Sequence, residues 1–457
     1  MDKIQILERD PDKKVTDILK IFMKLAQEDA DERESFQWIK SLYGTLDEHQ
    51  KEKFFKSIIE KIEVSLEDLK PLLDELDASS RDDPNLSGVL TELRSHIVSP
   101  RLNIFRKISR LPGGLKFLLD FRGDLLSIQR FSRSNLKPLE SDLTLLFELW
   151  FQEGFVYLEE ITLDSSYRQI DLIKKSDLVH PMISIEEMGQ RLGKDRRCFA
   201  LYHRLIPYEP IVFIEVALSN GIVRNISEII QGGKGPSEES DADTAIFYSI
   251  NNTQNGLTGL GMGKMLIGQV VDYLKRENDQ IKKFITLSPL PGFWKRYFKP
   301  VIEGKDEPFI LKHTDIIAYF SKKQQAKIMA YSDLQEWNPE QFNASLLSIL
   351  SDGSWAKDRE WIEILRDPLV KIAHEYISKE KNPKNKPLNP VANFHLGNGA
   401  TVSLKNVNFL ANPSSKGLDE SCGIMVNYIY TQGWLTRIRR SLKRFGKMEF
   451  RREVSSQ

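Results

Sequence analysis

The segment from Thr244 to Phe298 constrains the fold most strongly, because its pattern changes from strand to helix and back around a glycine-rich turn. An apolar strand begins the segment, and a second strand ends at Ser288-Pro289. Between them, apolar residues recur at helical spacing. These residues are Met265, Leu266, Val270, Val271 and Leu274. We therefore expect two parallel strands joined by the helix Met265–Glu277 in a right-handed β-α-β crossover.

The glycine-rich turn of this segment has the composition of a phosphate-binding site. A helix start leaves several backbone N–H groups without partners, and the helix dipole adds partial positive charge there. Glycine lets a ligand approach the backbone, and Lys264 adds a cation. The glycines are Gly256, Gly259, Gly261 and Gly263. A turn that needs glycine only for positive φ has the same composition, so phosphate binding and a purely structural turn both remain open.

The turn matches neither of the two common nucleotide-binding motifs. A P-loop ending at Gly263-Lys264 would have its first glycine where this chain has Thr258. Met265 follows the lysine and provides no hydroxyl for magnesium. The order G-L-G-M-G also differs from the G-x-G-x-x-G of dinucleotide-binding folds. ATP and NAD are therefore disfavoured as ligands.

The composition is typical of a soluble protein with more than one domain. The chain has 457 residues, which exceeds what one core usually organises. Its net charge is zero, which disfavours nucleic acid as the main partner, because binding a phosphate backbone needs a basic surface. No apolar run approaches the roughly 20 residues that span a bilayer, and the first residues show no signal or transit pattern. We expect a cytoplasmic protein that binds neither nucleic acid nor membrane.

Cysteine and histidine form no recognisable metal or disulfide pattern. Only Cys198 and Cys422 occur, far apart in the sequence, and we expect both to be small buried apolar residues. Seven histidines are scattered without the spacing of metal ligands. The sequence therefore predicts no bound metal.

The first 180 residues are predicted to form a helical domain. Apolar residues lie three and four apart in successive charged segments, and further helices are predicted for Leu115–Leu126 and Leu143–Tyr157. No strand signal stands out before about residue 195. Such a domain is an oligomerisation platform or carries a groove for a partner helix. We favour the platform, because amphipathic helices usually bury their apolar faces in their own domain.

Residues 181–457 show a different pattern and are predicted to form an α/β domain. A short helix, Ser184–Leu192, precedes two strands joined by a turn that contains Pro207 and Pro210. A surface loop rich in glycine and acidic residues, at 231–243, leads to the β-α-β segment.

After Phe298 the pattern becomes helical, and it returns to strand-like alternation from Leu388 to Tyr430. The tail from Trp434 is rich in arginine and lysine. A basic helix of this kind is a solvated face or a patch for membrane or nucleic acid, and a solvated face is favoured in a protein of zero net charge.

Six segments of the chain, in one order, resemble the malonyl-CoA decarboxylase family. Four lie in the predicted α/β domain and two lie upstream, so the resemblance covers most of the chain. The segments are G-G-L-K-F-L-L-D-F-R-G-D-L-L from Gly113, W-F-Q-E-G-F-V-Y-L-E from Trp150, T-A-I-F-Y-S-I-N-N-T-Q-N-G-L-T-G from Thr244, S-P-L-P-G-F from Ser288, L-N-P-V-A-N-F-H-L-G-N-G-A from Leu388 and S-C-G-I-M-V-N-Y-I-Y from Ser421. Several segments in one order are far more specific than a single glycine pattern.

The resemblance implies an α+β protein. An all-helical N-terminal domain, residues 1–180, would precede an N-acetyltransferase-like, acyl-CoA-binding α/β catalytic domain, residues 181–457. In that fold the turn before the helix holds the coenzyme A pyrophosphate, which assigns this turn to the pantetheine and pyrophosphate of malonyl-CoA. The turn residues are Thr258, Gly259, Leu260, Gly261, Met262, Gly263 and Lys264. The family tendency also implies a homo-oligomer.

One position departs from the family pattern. Several family members carry an acidic or hydroxyl side chain where this chain has Gly261. No catalytic role of that side chain can apply to this protein.

Ser288, His395 and Tyr430 are the candidate catalytic residues. Taken alone, each has an ordinary structural interpretation, as a turn or cap serine, a satisfied core histidine and a core tyrosine. The resemblance implies instead that Ser288 and His395 are catalytic and contact malonyl-CoA. His395 would deliver or relay a proton to the enolate carbon, while Ser288 would bond the malonyl carboxylate or thioester and exchange a proton with His395. Tyr430 would orient the pair or line the acyl pocket.

The implied activity is a carboxy-lyase reaction, the conversion of malonyl-CoA to acetyl-CoA and CO2. Loss of CO2 leaves electrons on the α-carbon that delocalise into the thioester carbonyl, so the substrate holds its own electron sink and no cofactor is expected. An acyltransferase that moves the acyl group to an amine is one alternative, and it predicts a new amide. A non-catalytic acyl-CoA sensor is the other, and it predicts binding without turnover.

Overall fold

The computed structural model describes most of the chain, which forms two compact units. The described residues are 11–26, 31–79, 83–177, 184–193, 195–230, 241–332 and 338–431. The first unit contains the described residues up to Tyr157 together with Leu201–Val212 and Asn252–Met262. The second unit contains the other described residues. The predicted loop at 231–243 falls largely, and the basic tail from Trp434 entirely, outside the described residues.

Eight helices build the described part of the first unit, and polar side chains cap several of them. They are α1 (Pro11–Lys24), α2 (Glu32–Tyr43), α3 (Glu48–Lys61), α4 (Leu66–Ala78), α5 (Leu86–Ile97), α6 (Pro100–Arg110), α7 (Gly114–Gln129) and α8 (Lys137–Trp150). Asp31 accepts two backbone N–H groups at the start of α2, and Asp47 forms a reciprocal capping box with Gln50 at α3. Each cap satisfies N–H groups that a helix start otherwise leaves unpaired.

Aromatic rings around Phe121 of α7 form the core of the first unit. The Phe121 ring centroid lies 4.9 Å from that of Phe55, 5.3 Å from that of Tyr43 and 5.9 Å from that of Phe117. All four side chains are buried. Tilted and edge-on pairs of this kind add roughly 0.5–1.5 kcal/mol each beyond the apolar area that they bury. Helix α7 is therefore anchored in the centre of the unit.

Ten described strands form two sheets. The strands are β1 (Val156–Ile161), β2 (Arg196–His203), β3 (Val212–Ser219), β4 (Thr244–Asn252), β5 (Lys283–Thr286), β6 (Ser288–Pro289), β7 (Ala400–Thr401), β8 (Val407–Asn408), β9 (Met425–Val426) and β10 (Ile429–Tyr430). The larger sheet has the order β1-β2-β3-β4-β5-β10-β7, and the smaller has the order β6-β9-β8. The two strands predicted around Pro207 and Pro210 are confirmed as the neighbours β2 and β3.

The predicted β-α-β unit is confirmed. Strands β4 and β5 pair in parallel, with Phe247 opposite Thr286, and α12 (Met262–Glu277) connects them. The helix begins earlier than the predicted Met265. Strand β5 ends at Thr286, before the predicted end at Ser288-Pro289, which instead pairs with β9 as β6. Proline lacks the N–H that a longer β5 ladder would need, so the chain leaves the larger sheet there.

The described part of the second unit contains nine further α-helices. They are α9 (Tyr167–Ser176), α10 (Ile185–Arg191), α11 (Ile226–Ile230), α13 (Lys299–Ile302), α14 (Lys322–Ala330), α15 (Pro339–Ser351), α16 (Arg359–Ser378), α17 (Pro390–Gly397) and α18 (Ser415–Ser421). A π-helical segment, Phe293–Phe298, follows β6. The helices predicted after Phe298 are confirmed. None of the helices in the described stretches is both long and apolar enough to cross a bilayer.

Two sequence-based predictions of secondary structure are wrong. The first 180 residues are not all helical, because α8 ends at Trp150 and β1 follows at Val156–Ile161. The strand-like interpretation of the segment from Leu388 fails at α17, where Asn389 caps the helix and Pro390 takes its first position. The α+β class is confirmed, with a helical region followed by an α/β region. Cys198 and Cys422 are both buried, as expected.

Candidate active site

Ser288, His395 and Tyr430 lie together in the second unit and form one chain of hydrogen bonds. Ser288 stands at the start of β6, His395 in the last turn of α17 and Tyr430 at the end of β10. The Ser288 Oγ lies 3.0 Å from His395 Nε2, and His395 Nδ1 lies 2.8 Å from the Tyr430 hydroxyl. All three side chains are buried. The structure thus brings together the three residues that the sequence analysis selected as catalytic.

Asn389 ties the histidine helix to the serine segment. Its side-chain oxygen accepts the backbone N–H groups of Val391 and Ala392, each at 3.0 Å, which caps α17. Its amide nitrogen donates to the carbonyl of Pro291 at 3.0 Å. The side chain is fully buried. One amide therefore sets the position of His395 relative to the segment that begins at Ser288. The sequence analysis missed this residue, although Asn before Pro is a recognisable signal for a helix start.

Thr286 and Tyr428 are two further members of the site that sequence reasoning missed. Ser288 donates its hydroxyl proton to Thr286 Oγ1 at 2.9 Å, and the same oxygen accepts the Tyr428 backbone N–H at 3.1 Å. The Tyr428 ring stacks on the His395 ring with a centroid distance of 4.6 Å. The alternation of Thr286, Leu287 and Ser288 could have placed the two hydroxyls on one side of an extended chain.

His395 is a neutral base in this environment. Burial lowers its pKa from the ordinary 6.5 to about 3, because a charged imidazolium would lose its hydration. Since Ser288 donates its proton to Thr286, the bond between Ser288 and His395 needs a proton on Nε2. The neutral ring then accepts the Tyr430 proton at Nδ1. Burial also raises the pKa of Tyr430 well above its ordinary value, so the phenol is protonated in the resting site.

We expect the lowered pKa of His395 to appear in the pH dependence of stability. Between pH 6.5 and pH 3 the unfolded chain binds a proton at this residue that the folded chain does not, so stability is lost as the pH falls through this window. At pH 5, which is 1.5 units below the ordinary value, the loss is on the order of 2 kcal/mol at about 1.4 kcal/mol per unit.

Urea unfolding of the wild type and of His395→Asn at pH 7 and pH 5 measures this effect. The variant lacks the titrating group, so it should lose less stability on acidification than the wild type. Equal losses in the two proteins would contradict a depressed pKa at His395.

The backbone of the predicted phosphate turn is open to a ligand. Gly259 and Gly261 have left-handed φ angles of +87° and +75°, and a Cβ at either position would meet no atom within 4 Å. Within the described chain, no residue accepts the backbone N–H groups of Gly259, Gly261, Met262, Gly263 or Lys264. The start of α12 therefore presents several donors in one place.

The side chains of the turn differ in their exposure. Thr258 and Lys264 are exposed, and Leu260 is half-buried. The Thr258 hydroxyl donates to the Asn255 carbonyl at 2.8 Å. Met262 is buried, so it can offer a ligand only its backbone. Lys264 makes no ion pair with any residue in the described part of the chain, which leaves its ammonium group available to an anion.

Gly263 brings the first turn of α12 against the helix that carries His395. A Cβ at position 263 would lie 3.0 Å from Cζ and 3.2 Å from Cε2 of Phe394, the residue before His395. Real Cβ atoms rarely approach so closely, so glycine at this position allows the contact. Within the second unit, the start of α12 and α17 are therefore direct neighbours.

The described residues contain no group of three or more His, Cys, Asp or Glu side chains that could hold a metal ion. Ser288 and Tyr430 place hydroxyl groups at the two ring nitrogens of His395, and the Tyr428 ring stacks on its face. The arrangement is suited to moving a proton along hydrogen bonds among buried side chains.

The chain is similar to known proteins over most of its length. The Malonyl-CoA decarboxylase N-terminal domain family matches residues 65–151, and the Malonyl-CoA decarboxylase C-terminal domain family matches residues 154–455. The mitochondrial malonyl-CoA decarboxylase of Rattus norvegicus is 33% identical over 363 residues, covering 78% of this chain and 70% of the relative. The mitochondrial malonyl-CoA decarboxylase of Mus musculus is 35% identical over 345 residues, covering 74% of this chain and 67% of the relative.

Solved structures extend the similarity to the fold. The crystal structure of malonyl-CoA decarboxylase from Agrobacterium vitis is similar with a TM-score of 0.74 and 28% identity, covering 93% of this chain and 95% of that one. The crystal structure of malonyl-CoA decarboxylase from Rhodopseudomonas palustris is similar with a TM-score of 0.71 and 28% identity, covering 95% of this chain and 97% of that one. Both halves of the family match in order and at nearly full length, so this chain belongs to the malonyl-CoA decarboxylase family.

Proposed function

We propose that this decarboxylase converts malonyl-CoA to acetyl-CoA and CO2 through an enolate that is protonated by the chain Ser288–His395–Tyr430. The observation that carries the proposal is the continuous and buried hydrogen bonding of these three side chains in a member of this family. The chain of hydroxyl, imidazole and phenol can pass a proton from one end to the other.

The reaction needs a proton delivered to carbon. When the bond between the α-carbon and the carboxylate breaks, CO2 leaves and the electron pair enters the thioester carbonyl as an enolate. Because the thioester accepts this pair, we propose that no cofactor takes part. Protonation of the α-carbon then completes acetyl-CoA, and a general acid contributes typically 10²- to 10⁴-fold to such a step.

We place the Ser288 hydroxyl against the substrate. Both ring nitrogens of His395 already face partners, Ser288 at Nε2 and Tyr430 at Nδ1, so the proton reaches carbon through the Ser288 Oγ. On transfer, the Ser288 hydroxyl rotates away from Thr286 and gives its proton to the α-carbon. The Nε2 proton of His395 moves to the Oγ, and the Tyr430 proton moves to Nδ1. The resulting Tyr430 phenolate takes a proton from water when the product leaves, and hydroxide is released.

The proposed coenzyme A site is the turn Thr258–Lys264 at the start of α12. Its uncommitted N–H groups, the positive end of the helix dipole and the exposed Lys264 ammonium suit a pyrophosphate. Within the second unit, the contact of Gly263 with Phe394 supports a substrate that runs from the start of α12 at Gly263 toward His395.

Incubation of purified protein with malonyl-CoA alone, in the presence of a metal chelator, tests the function. We expect acetyl-CoA to form in step with CO2, as read by mass spectrometry of the thioesters and by CO2 release. Unchanged malonyl-CoA despite saturable binding would support a sensor instead. Turnover that requires an added amine and yields an amide would support an acyltransferase.

We also propose that the protein forms a homo-oligomer, works in the cytoplasm and binds neither nucleic acid nor membrane. The zero net charge and the helical first region support these expectations. The rat and mouse relatives are named as mitochondrial proteins. Light scattering tests the assembly, and a monomer at micromolar concentration would contradict the homo-oligomer. Cell fractionation tests the location.

A further inference from the structure

We infer that Arg122, on helix α7 of the first unit, is a positioning residue that holds the coenzyme A turn in its binding conformation. The inference rests on the proposed function of that turn. It gives the helical region a part in substrate binding, beyond the platform role expected from its sequence. The turn residues Asn252–Met262 and helix α7 belong to the same compact unit.

The Arg122 guanidinium joins the turn to two helices. Its Nη1 donates to the Gly256 carbonyl at 2.5 Å and to the Thr258 carbonyl at 3.1 Å. Its Nη2 donates to Thr144 Oγ1 at 3.2 Å and to a Glu140 carboxylate oxygen at 3.4 Å, both on α8. Only 3% of the side chain is exposed. A planar guanidinium with a fixed fork of donors can hold two carbonyls at a defined spacing, which a lysine ammonium cannot do as well.

The backbone of the turn is also pressed directly against α7. A Cβ at Gly256 would lie 2.0 Å from the Leu119 carbonyl oxygen, which leaves room for glycine alone. On the helix side, a Cβ at Gly123 would lie 3.5 Å from atoms of Asn255 and Gly256. Gly256 therefore permits the close approach that brings the turn carbonyls within reach of Arg122, while the distances at Gly123 are those of ordinary van der Waals contact.

The orientation of the Thr258 carbonyl determines where the next N–H points. In a planar trans peptide the C=O and the following N–H point in opposite directions. Because the Thr258 carbonyl faces Arg122, the Gly259 N–H faces away from α7. No residue in the described chain accepts that N–H. Arg122 thus orients a donor that the proposed function assigns to the ligand.

Helix α7 is rigid enough for this role. Phe117 and Phe121, which both precede Arg122 on this helix, lie in the aromatic core with a centroid separation of 5.9 Å. Glu140 supplies a nearby negative charge, while burial lowers the pKa of the Arg122 guanidinium. Removal of the guanidinium would leave the Gly256 carbonyl buried without its donor, so the turn would have to rearrange.

Arg122→Met and Arg122→Lys test the inference, with Arg101→Met as the matched control. Arg101 is also buried in the first unit, where it pairs with Asp142 and donates to the Ile62 carbonyl, away from the turn. We expect Arg122→Met to raise the KM for malonyl-CoA and the Kd for coenzyme A, measured by calorimetry, by roughly 10- to 100-fold with kcat within about threefold. Arg122→Lys should show a smaller rise in both constants.

The control separates positioning from general destabilisation. Arg101→Met should lose thermal stability and keep the wild-type KM and Kd. If Arg122→Met raises these constants no more than Arg101→Met does, the inference is wrong. Should Arg122→Met not fold, Arg122→Lys keeps the positive charge and removes the fork of donors, and a KM and a coenzyme A Kd equal to those of the wild type would then overturn the inference.

A variant within the turn distinguishes failure of the inference from failure of the proposed site. Lys264→Met removes the exposed cation of the turn. If it weakens coenzyme A binding while the Arg122 variants do not, the turn binds the ligand without help from Arg122. If neither residue affects the coenzyme A Kd, the proposed coenzyme A site is itself wrong.

Discussion

His395→Asn is expected to lower kcat for malonyl-CoA decarboxylation by about 10³-fold, while KM stays within a few-fold of the wild type. The asparagine amide reaches the position of Nδ1, so the contact with Tyr430 can persist. It does not reach the position of Nε2, which lies 3.0 Å from the Ser288 Oγ in the native protein. His395 can then no longer return a proton to the Ser288 Oγ, whereas the residues of the coenzyme A turn are unchanged. Steady-state kinetics with thioester products read by mass measures both constants.

A second buried histidine provides the control for this variant. His203 is fully buried in the first unit, where its Nε2 lies 2.9 Å from the Trp150 carbonyl, and burial lowers its pKa as well. His203→Asn should therefore cost stability and leave kcat nearly unchanged. Near-wild-type turnover of folded His395→Asn would rule out the proton chain.

Ser288→Ala is expected to lower kcat by roughly 10²- to 10³-fold. The substitution removes the hydroxyl that we place against the α-carbon, and it leaves the bond between His395 and Tyr430 in place. Because the side chain loses one oxygen and keeps its Cβ, the local packing changes little. Ser345→Ala is the matched control, since Ser345 is a fully buried serine that donates to Ser332 at 2.9 Å in a different part of the second unit.

Combining the two substitutions tests whether Ser288 and His395 act as a unit. If the proton passes through both groups, Ser288→Ala with His395→Asn should be about as slow as the slower single variant, because one break already interrupts the transfer. Multiplied rate losses in the double variant would show independent roles. A rise in KM without loss of kcat in Ser288→Ala would show that the hydroxyl binds substrate and transfers no proton.

Local sequence patterns were sufficient for the β-α-β unit and for the class of the fold. The apolar spacing from Met265 to Leu274 and the glycines before it predict a helix after a tight turn, and α12 has this form. The strand prediction at α17 is wrong, because apolar residues around His395 suit a strand or a short helix equally well. The cap formed by Asn389 decides between them, and its bonds involve the distant Pro291 carbonyl.

Site residues that carry a family motif could be selected from the sequence, and residues that support them could not. Ser288, His395 and Tyr430 stand in segments that resemble the family. Thr286 and Arg122 act through hydrogen bonds to atoms that are remote in the chain, such as the Tyr428 N–H and the Thr258 carbonyl. Such partners follow from how separate segments pack, which no local spacing encodes.

The sequence alone indicates the helical and α/β regions and the turn at the start of α12, because periodicity and turn composition are local properties of the chain. The three candidate catalytic residues follow from the resemblance of their segments to the family. Only the tertiary structure decided that His395 is buried and neutral, with a pKa of about 3, and that Arg122 reaches the turn. Desolvation and hydrogen-bond geometry depend on every segment that surrounds a group, so they arise only once the chain has folded.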